Sequence, residues 1–247
     1  MSRRLRLGVF FAGAAGLGVL LVVGLDDLPP FGDYPGPYGD LIARLSVPQR
    51  HIVNTVTAVN FDYRGFDTMG EELLLFAAAS ATALLLRETR QHDLRNAVDA
   101  VTSDAVRGLG ALAAVVTFVI GLNVVAHGFI SPGGGFQGGV VLSSSFLFLF
   151  LTIEYRAFAR DASPTFSESL ESLGAGGYVT VGLVSVAIGL AFLQNFMGLG
   201  VPGRLTGGGS AILVNWCSAL AVWGGFLVVF GEVLQENEAA RSQRSEP

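Results

Sequence analysis

Six apolar runs alternate with polar or glycine- and proline-rich segments along this chain: Leu7–Leu25, Thr68–Leu86, Gly108–Ala126, Phe136–Ile153, Leu173–Phe196 and Ala211–Gly231. Each is close to the ~20 residues that a helix needs to cross a hydrocarbon core of ~30 Å. The expected fold is all-α: a polytopic membrane bundle of about six transmembrane helices. The second run is the odd one. Its charge-free part, Leu73–Leu86, reaches only ~21 Å at helical rise, so a spanning helix must take in Thr68, Met69, Gly70, Glu71 and Glu72. Two glutamates then lie roughly one turn inside its outer end.

Between the first two runs, Asp26–Asp67 is too polar to cross. Its start, LPPFGDYPGPYGD, reads as an irregular external loop. Ile52, Val53, Val56 and Val59 then recur at helical spacing opposite Asn54, Thr55 and Thr57, which predicts a short helix at the interface or against a neighbouring subunit. The first run follows Arg3, Arg4 and Arg6, as a secretory signal would. Its 19 uncharged residues and the lack of a small-x-small cleavage site before Asp26 favour a retained span. Gly8, Ala12 and Gly16 form a small-xxx-small stripe suited to helix packing.

Composition agrees with this pattern. The 247 residues are 51% hydrophobic and 14% charged, which excludes an ordinary soluble domain. A net charge of −5 and the absence of a basic, aromatic-interleaved stretch argue against nucleic acid as a partner. Cys217 is the single cysteine, so the chain can form neither an internal disulfide nor a CxxC metal site; it reads as a small core hydrophobe.

The chain has no lysine, so arginines orient it. With the N-terminus inside, 11 of the 15 arginines fall on the inner side, and only Arg44, Arg50, Arg64 and Arg204 lie outside. Both termini are therefore expected in the cytoplasm, with the segment around His127 on the outer face. A reporter fused at Glu246 should be cytoplasmic and one inserted near Gly36 external. A cytoplasmic signal at Gly36 would overturn the six-span topology.

The third and fourth runs are joined by only nine residues, His127 to Gly135, within the sequence AHGFISPGGGFQGGVV. A histidine, a proline and several glycines at such a turn call for a tight or partly re-entrant loop. A phosphate-cradling loop is disfavoured, since no Gly-Lys-Ser/Thr follows. The pattern resembles the B subunit of Mrp-type multisubunit sodium/proton antiporters, whose hallmark is a histidine followed shortly by Pro-Gly-Gly-Gly-Phe-x-Gly-Gly. Here these are His127 and then Pro132, Gly133, Gly134, Gly135, Phe136, Gln137, Gly138 and Gly139.

A second stretch, from His51 through Asn60, Asp62, Arg64, Gly65, Phe66, Asp67, Thr68 and Gly70 to Glu71, resembles the tail of the antiporter A subunit and a small subunit of membrane-bound hydrogenases. In that resemblance Glu71 matches an acid of a cation route. This chain departs from it at Asn60-Phe61-Asp62 and in the doubled Glu71-Glu72. The two matches imply a fusion of a two-helix A-tail-like part over 1–95 and a four-helix B-like part over 105–236, with a polar cytoplasmic tail over 237–247.

Glu71, Glu72, Asp67, His127 and Asn123 are the candidates for an ion or proton path. A carboxylate inside a membrane is costly and usually functional, and imidazole changes charge near neutral pH. Each has a plainer reading. Thr68 to Glu71 matches a capping box, and His127 can be a loop histidine bonded to backbone carbonyls. Asn123 lies four residues before His127 and so shares its side of a helix. Asn123, Asn215, Gln137 and Glu71 at one depth suggest an outward hydrated vestibule, though Asn123 and Asn215 can equally bond between helices. Glu232 reads as a solvated terminal charge.

No nucleophile–base pair, metal cluster or redox-cofactor motif is present in the sequence. The resemblance implies a non-catalytic subunit without a cofactor, multi-pass in a prokaryotic plasma membrane, with sodium in transit at Glu71 as its one metal ion. The implied partners are other antiporter subunits, lipid, Na+ and H+. Two alternatives stay open: the equivalent membrane-arm subunit of a redox-driven pump, and a purely structural assembly subunit.

Overall fold

A computed structural model describes residues 3–26, 28, 32, 36–86, 103–153 and 163–245. Arg87, Arg90, Arg95, Arg156 and Arg160, on which the orientation partly rests, lie outside the described residues. Two compact units are present, residues 1–41 and 42–247. The first contains helix α1 (Arg3–Asp26), no residue of which is buried.

Helix α2 (Pro37–Arg50) buries Ile42 and Ser46. His51 then adopts a left-handed φ of 56°, and a four-residue helix α3 (Thr55–Ala58) follows, capped by Asn54, whose side chain accepts from Val56 N and Thr57 N. The predicted amphipathic helix from Ile52 to Val59 is thus shorter than expected. Ile52 is fully buried before the helix starts, while Val53 and Val56 are exposed. A π-helical turn, Val59–Tyr63, leads into α4 (Gly65–Leu85). The chain continues through α5 (Asp104–Ala126), α6 (Gly135–Ile153), α7 (Pro164–Ala187) and α8 (Ala211–Ser245). Among the described residues, six helices are long and apolar enough to cross a membrane.

Five of the six expected spans coincide with helices to within a few residues at most of their ends. The fifth does not: it covers Pro164–Ala187, not Leu173–Phe196. Ser163 caps it by accepting from Phe166 N at 3.3 Å, with Pro164 at the first helical position. Glu168 and Glu171 depress the hydropathy of its first turns, which is why run length alone shifted the span toward the C-terminus. Residues 190–210, which the shifted span partly claimed, form irregular loop. Helix α8 also runs well past Gly231, and Glu232 is not a solvated charge; it is 3% exposed.

Helix α8 packs against α4, α6 and α7, and α5 packs against α6. Small residues set these contacts, as in other membrane bundles. A Cβ on Gly174 of α7 would lie 2.6 Å from the Cys217 carbonyl oxygen and the Ala221 Cα of α8. Farther along α8, Trp223 meets Phe118 and Phe166 edge-to-face and Phe146 at a tilt, with ring centroids 5.7–5.9 Å apart. This aromatic cluster ties α5, α6 and α7 to α8. A second core of Ile52, Ala58, Phe61, Phe129, Tyr178, Ala211 and Val214 lies at the end of the bundle that carries the 127–135 turn. Cys217 packs against that core as a free thiol.

Candidate functional site

The glycine-rich turn is built from both of its helices. His127 caps α5, its N–H donating to Asn123 O at 2.9 Å, and its own carbonyl accepts from Ile130 N and Ser131 N. Gly134 N returns to Val124 O at 3.2 Å, which folds the loop back over the end of α5. Gly133 and Gly134 hold φ of 155° and 141°, and a Cβ on Gly133 would come 2.7 Å from Val124 O. A side chain there is disfavoured both by conformation and by space. Gly135 has an ordinary φ; its lack of a side chain serves close approach. A Cβ there would lie 2.9 Å from Ser218 Cβ and 3.0 Å from Ala219 N on α8. Gly138 and Gly139 extend the motif onto two sides of α6, the first facing Val125 on α5 and the second Ala219 and Val222 on α8. Phe136 is half-buried and Pro132 is exposed.

The segment before α4 clamps this turn from outside. Val53 N and Asn54 N donate to Phe129 O at 3.0 and 3.2 Å. The Asn54 amide donates to Gly128 O at 2.8 Å and Ser131 O at 2.9 Å. Thr57 Oγ1 donates to Gly128 O at 2.7 Å. The carbonyls that a tight turn leaves without helical partners are thus satisfied by side chains more than seventy positions earlier. On the same segment Asp62 is salt-bridged to Arg50 at 2.9 Å and accepts from Asn195 Nδ2 at 3.0 Å.

Asn215 and Ser218 connect the turn to the acidic helix. Asn215 is 1% exposed; it accepts from Gly135 N at 2.7 Å and donates to Val125 O at 3.1 Å. One turn farther along α8, Ser218 Oγ donates to Glu72 Oε1. Glu72 is 1% exposed and its other oxygen, Oε2, has no hydrogen-bond partner. The two sequence motifs therefore meet on one face of α8, with Gly135 packed against the serine that holds Glu72.

The remaining candidates are distributed differently. Glu71 is exposed on α4. Asp67 is half-exposed and paired with Arg64, its Oδ2 accepting from Arg64 Nε at 2.6 Å. Asn123 is exposed on α5, and the His127 ring places Nδ1 3.1 Å from the Asn123 carbonyl oxygen. Gln137 is exposed on α6. The structure therefore brings together Glu72, Ser218 and Asn215, and leaves Glu71, Asn123 and Gln137 on the outer surface of the chain. The capping box does not form, because α4 begins at Gly65. Thr68 lies inside the helix and donates to Asn60 O at 2.7 Å, across the π-helical turn. Tyr178 of α7 donates to Gly65 O at 2.8 Å and fixes the same helix start.

Sequence reasoning missed Ser218, Thr57 and the capping role of Asn54. Serine in an apolar run carries little signal by itself. The available clue was its spacing of three from Asn215, which puts both on one helix face.

Residues 105–228 match the family described as a domain related to the MnhB subunit of Na+/H+ antiporters. The uncharacterized protein MJ1307 of Methanocaldococcus jannaschii is 32% identical over 164 residues, 59% of this chain. The chain spans about three fifths (61%) of the length of that curated relative. A chain of the membrane-bound sulfane sulfur reductase (MBS), an archaeal respiratory membrane complex, superposes with a TM-score of 0.66 at 28% identity, covering 93% of this chain and 98% of that one. A chain of the Mrp complex from Dietzia sp. DQ12-45-1b superposes with a TM-score of 0.68 at 22% identity, over 94% of this chain but 26% of that longer one. With half of its length matched by the family and its glycine-rich turn folded as a packed junction of three helices, this all-helical chain belongs to the family of MnhB-related antiporter-subunit domains.

Proposed function

We propose that the chain is a membrane subunit of a multisubunit cation/proton antiporter that exchanges Na+ for H+, with Glu72 on the cation path. The observation that carries this reading is the Glu72 carboxyl, sealed between α4 and α8 with one oxygen on Ser218 and the other without a hydrogen-bond partner. A carboxylate kept inside a membrane span despite its cost is a functional group by default. It can hold a proton or a sodium ion, but not both at once, and that competition is the elementary event of antiport. The glycine-rich turn forms the mouth of this path, and Asn215 fixes the turn against it. From the arginine distribution, the proposal adds both termini cytoplasmic and His127 outside, with the complex in a prokaryotic plasma membrane. The family match supports an antiporter-complex subunit. So does the Mrp chain, which holds a counterpart of nearly all of this chain within one longer polypeptide. The proposal includes a fused origin, with an A-tail-like part over 1–95 and a B-like part over 105–236.

Glu72→Gln keeps shape and removes charge. The assembled complex carrying it is expected to lose sodium-driven proton exchange in vesicles by about tenfold or more, the factor that ~1.4 kcal/mol represents. Glu71→Gln, at an exposed position, should be the milder change. Normal exchange in Glu72→Gln would remove this residue from the path.

A second reading is favoured by the near-complete match to the sulfane sulfur reductase chain: the same ion-handling subunit in a redox-driven membrane complex. Purifying the intact complex separates the two readings, since iron–sulfur or other redox-centre subunits among its partners would favour the second.

A further inference from the structure

Glu72 is not the only carboxyl enclosed in the seam where α4, α7 and α8 meet. Glu171 of α7 is 4% exposed, and its Oε1 has no hydrogen-bond partner. That oxygen faces a glycine. A Cβ on Gly225 of α8 would lie 3.1 Å from Glu171 Oε1 and 3.3 Å from Leu75 Cγ on α4. The carboxyl therefore projects between α8 and α4, into room left by the missing side chain. Ser167, one turn earlier on α7 and on the same face, is fully buried, and its hydroxyl also lacks a partner. The adjoining Gly224 lets α7 seat directly on α8; a Cβ there would lie 2.6 Å from Ser167 O.

The seam is continuous with the Glu72 site. Leu75 lies three residues beyond Glu72 on α4, and Gly225 lies seven beyond Ser218 on α8. At ~1.5 Å per residue these offsets amount to roughly 5 Å along α4 and roughly 10 Å along α8. Buried polar atoms without partners need an explanation, and internal water bridging such groups is the commonest one.

We propose that Glu171 is a second proton-carrying station in this seam, exchanging a proton with Glu72 through water drawn between α4, α7 and α8. The proposal rests on the reading of Glu72 given above. When the Glu72 acid takes up sodium, its proton passes to water and then to the Glu171 carboxylate, which becomes the neutral acid. Release past Ser167 toward the far end of the bundle restores the carboxylate. A proton suits Glu171: its Oε1 faces Leu75 and a glycine, and one oxygen suffices for a proton.

The test uses the intact complex. In the wild type, dicyclohexylcarbodiimide, an apolar reagent for protonated carboxyls, is expected to modify both Glu72 and Glu171, read by mass spectrometry of the chain. Modification of Glu72 with Glu171 untouched would overturn the proposal, and this readout needs no variant to fold. In vesicles, Glu171→Gln is expected to slow sodium-driven proton flux roughly a hundredfold, the lower end of what a positioned proton-transfer group contributes. Protection of Glu72 from the reagent by sodium should remain as in the wild type, and Glu171→Asp should recover part of the flux. Wild-type flux in assembled Glu171→Gln would overturn the relay and leave the Glu72 reading standing. Failure of sodium to protect Glu72 in the wild type would instead overturn that reading, and the relay with it.

Discussion

Gly135→Val is expected to prevent assembly of the intact complex. Gly135 opens α6 at the point where its backbone touches α8. A Cβ there would run into the Asn215 carbonyl and sit 3.0 Å from Ala219 N. These are backbone atoms of a neighbouring helix, so the obstacle cannot rotate away as a flexible side chain could. Overpacking of this kind costs about 1–3 kcal/mol where the surroundings yield. Here relief means parting α6 from α8, which also breaks the bond from Gly135 N to Asn215. Gly231→Val, where an added Cβ meets nothing within 4 Å, is the control. The amount of intact complex on a native gel after detergent extraction is the measurement. Wild-type yield of Gly135→Val would show that α6 and α8 are not in contact at the turn.

Asn215→Leu ranks next. The amide serves two backbone groups at once, the N–H of Gly135 and the C=O of Val125. Leucine fills similar space but leaves the Gly135 N–H buried and unpaired, while Val125 O keeps its bond from Gly128 N at 3.3 Å. At ~1–3 kcal/mol for an orphaned group, the variant is expected to lose roughly 1–3 kcal/mol. The thermal midpoint of the purified complex should fall clearly, with loss of the turn detectable as new protease cleavage near Ser131. An unchanged midpoint would mean that water reaches the Gly135 N–H and the site is wet.

Much of the architecture could be read directly from the chain, because apolar run length answers a single physical demand, the thickness of the hydrocarbon core. Leu7–Leu25 and Gly108–Ala126 fall inside the observed helices for that reason. The same criterion misplaced the fifth span, where Glu168 and Glu171 made a membrane helix look polar. Glu232 was misjudged by the same logic: near a predicted helix end a charge reads as solvated, yet α8 continues past it and the side chain is buried. The glycine motif was legible as a constrained turn, but its spacing does not say which glycine bends and which merely lets helices approach. That division between Gly133–Gly134 and Gly135 depends on where α8 runs. The choice between Glu71 and Glu72 was out of reach for a related reason. Adjacent helical residues point about 100° apart, and only the position of Ser218 decides which of them faces inward. The Ser167-x-x-x-Glu171 spacing puts both residues on one helix face, but both lie ahead of the expected span Leu173–Phe196, so run length supplied no helix to carry them.

The clamp of Asn54 and Thr57 on Gly128 and Ser131 has a consequence for how such subunits can be divided. It joins stretches more than seventy positions apart, and in one polypeptide the two sides meet intramolecularly, at an effective concentration independent of how much of the protein is made. Cut between 87 and 102, the same surfaces would belong to separate products that must find each other by lateral diffusion. Closure of the turn would then depend on expression level and on matched synthesis of the halves. Covalent continuity makes the stoichiometry of that junction one to one by construction.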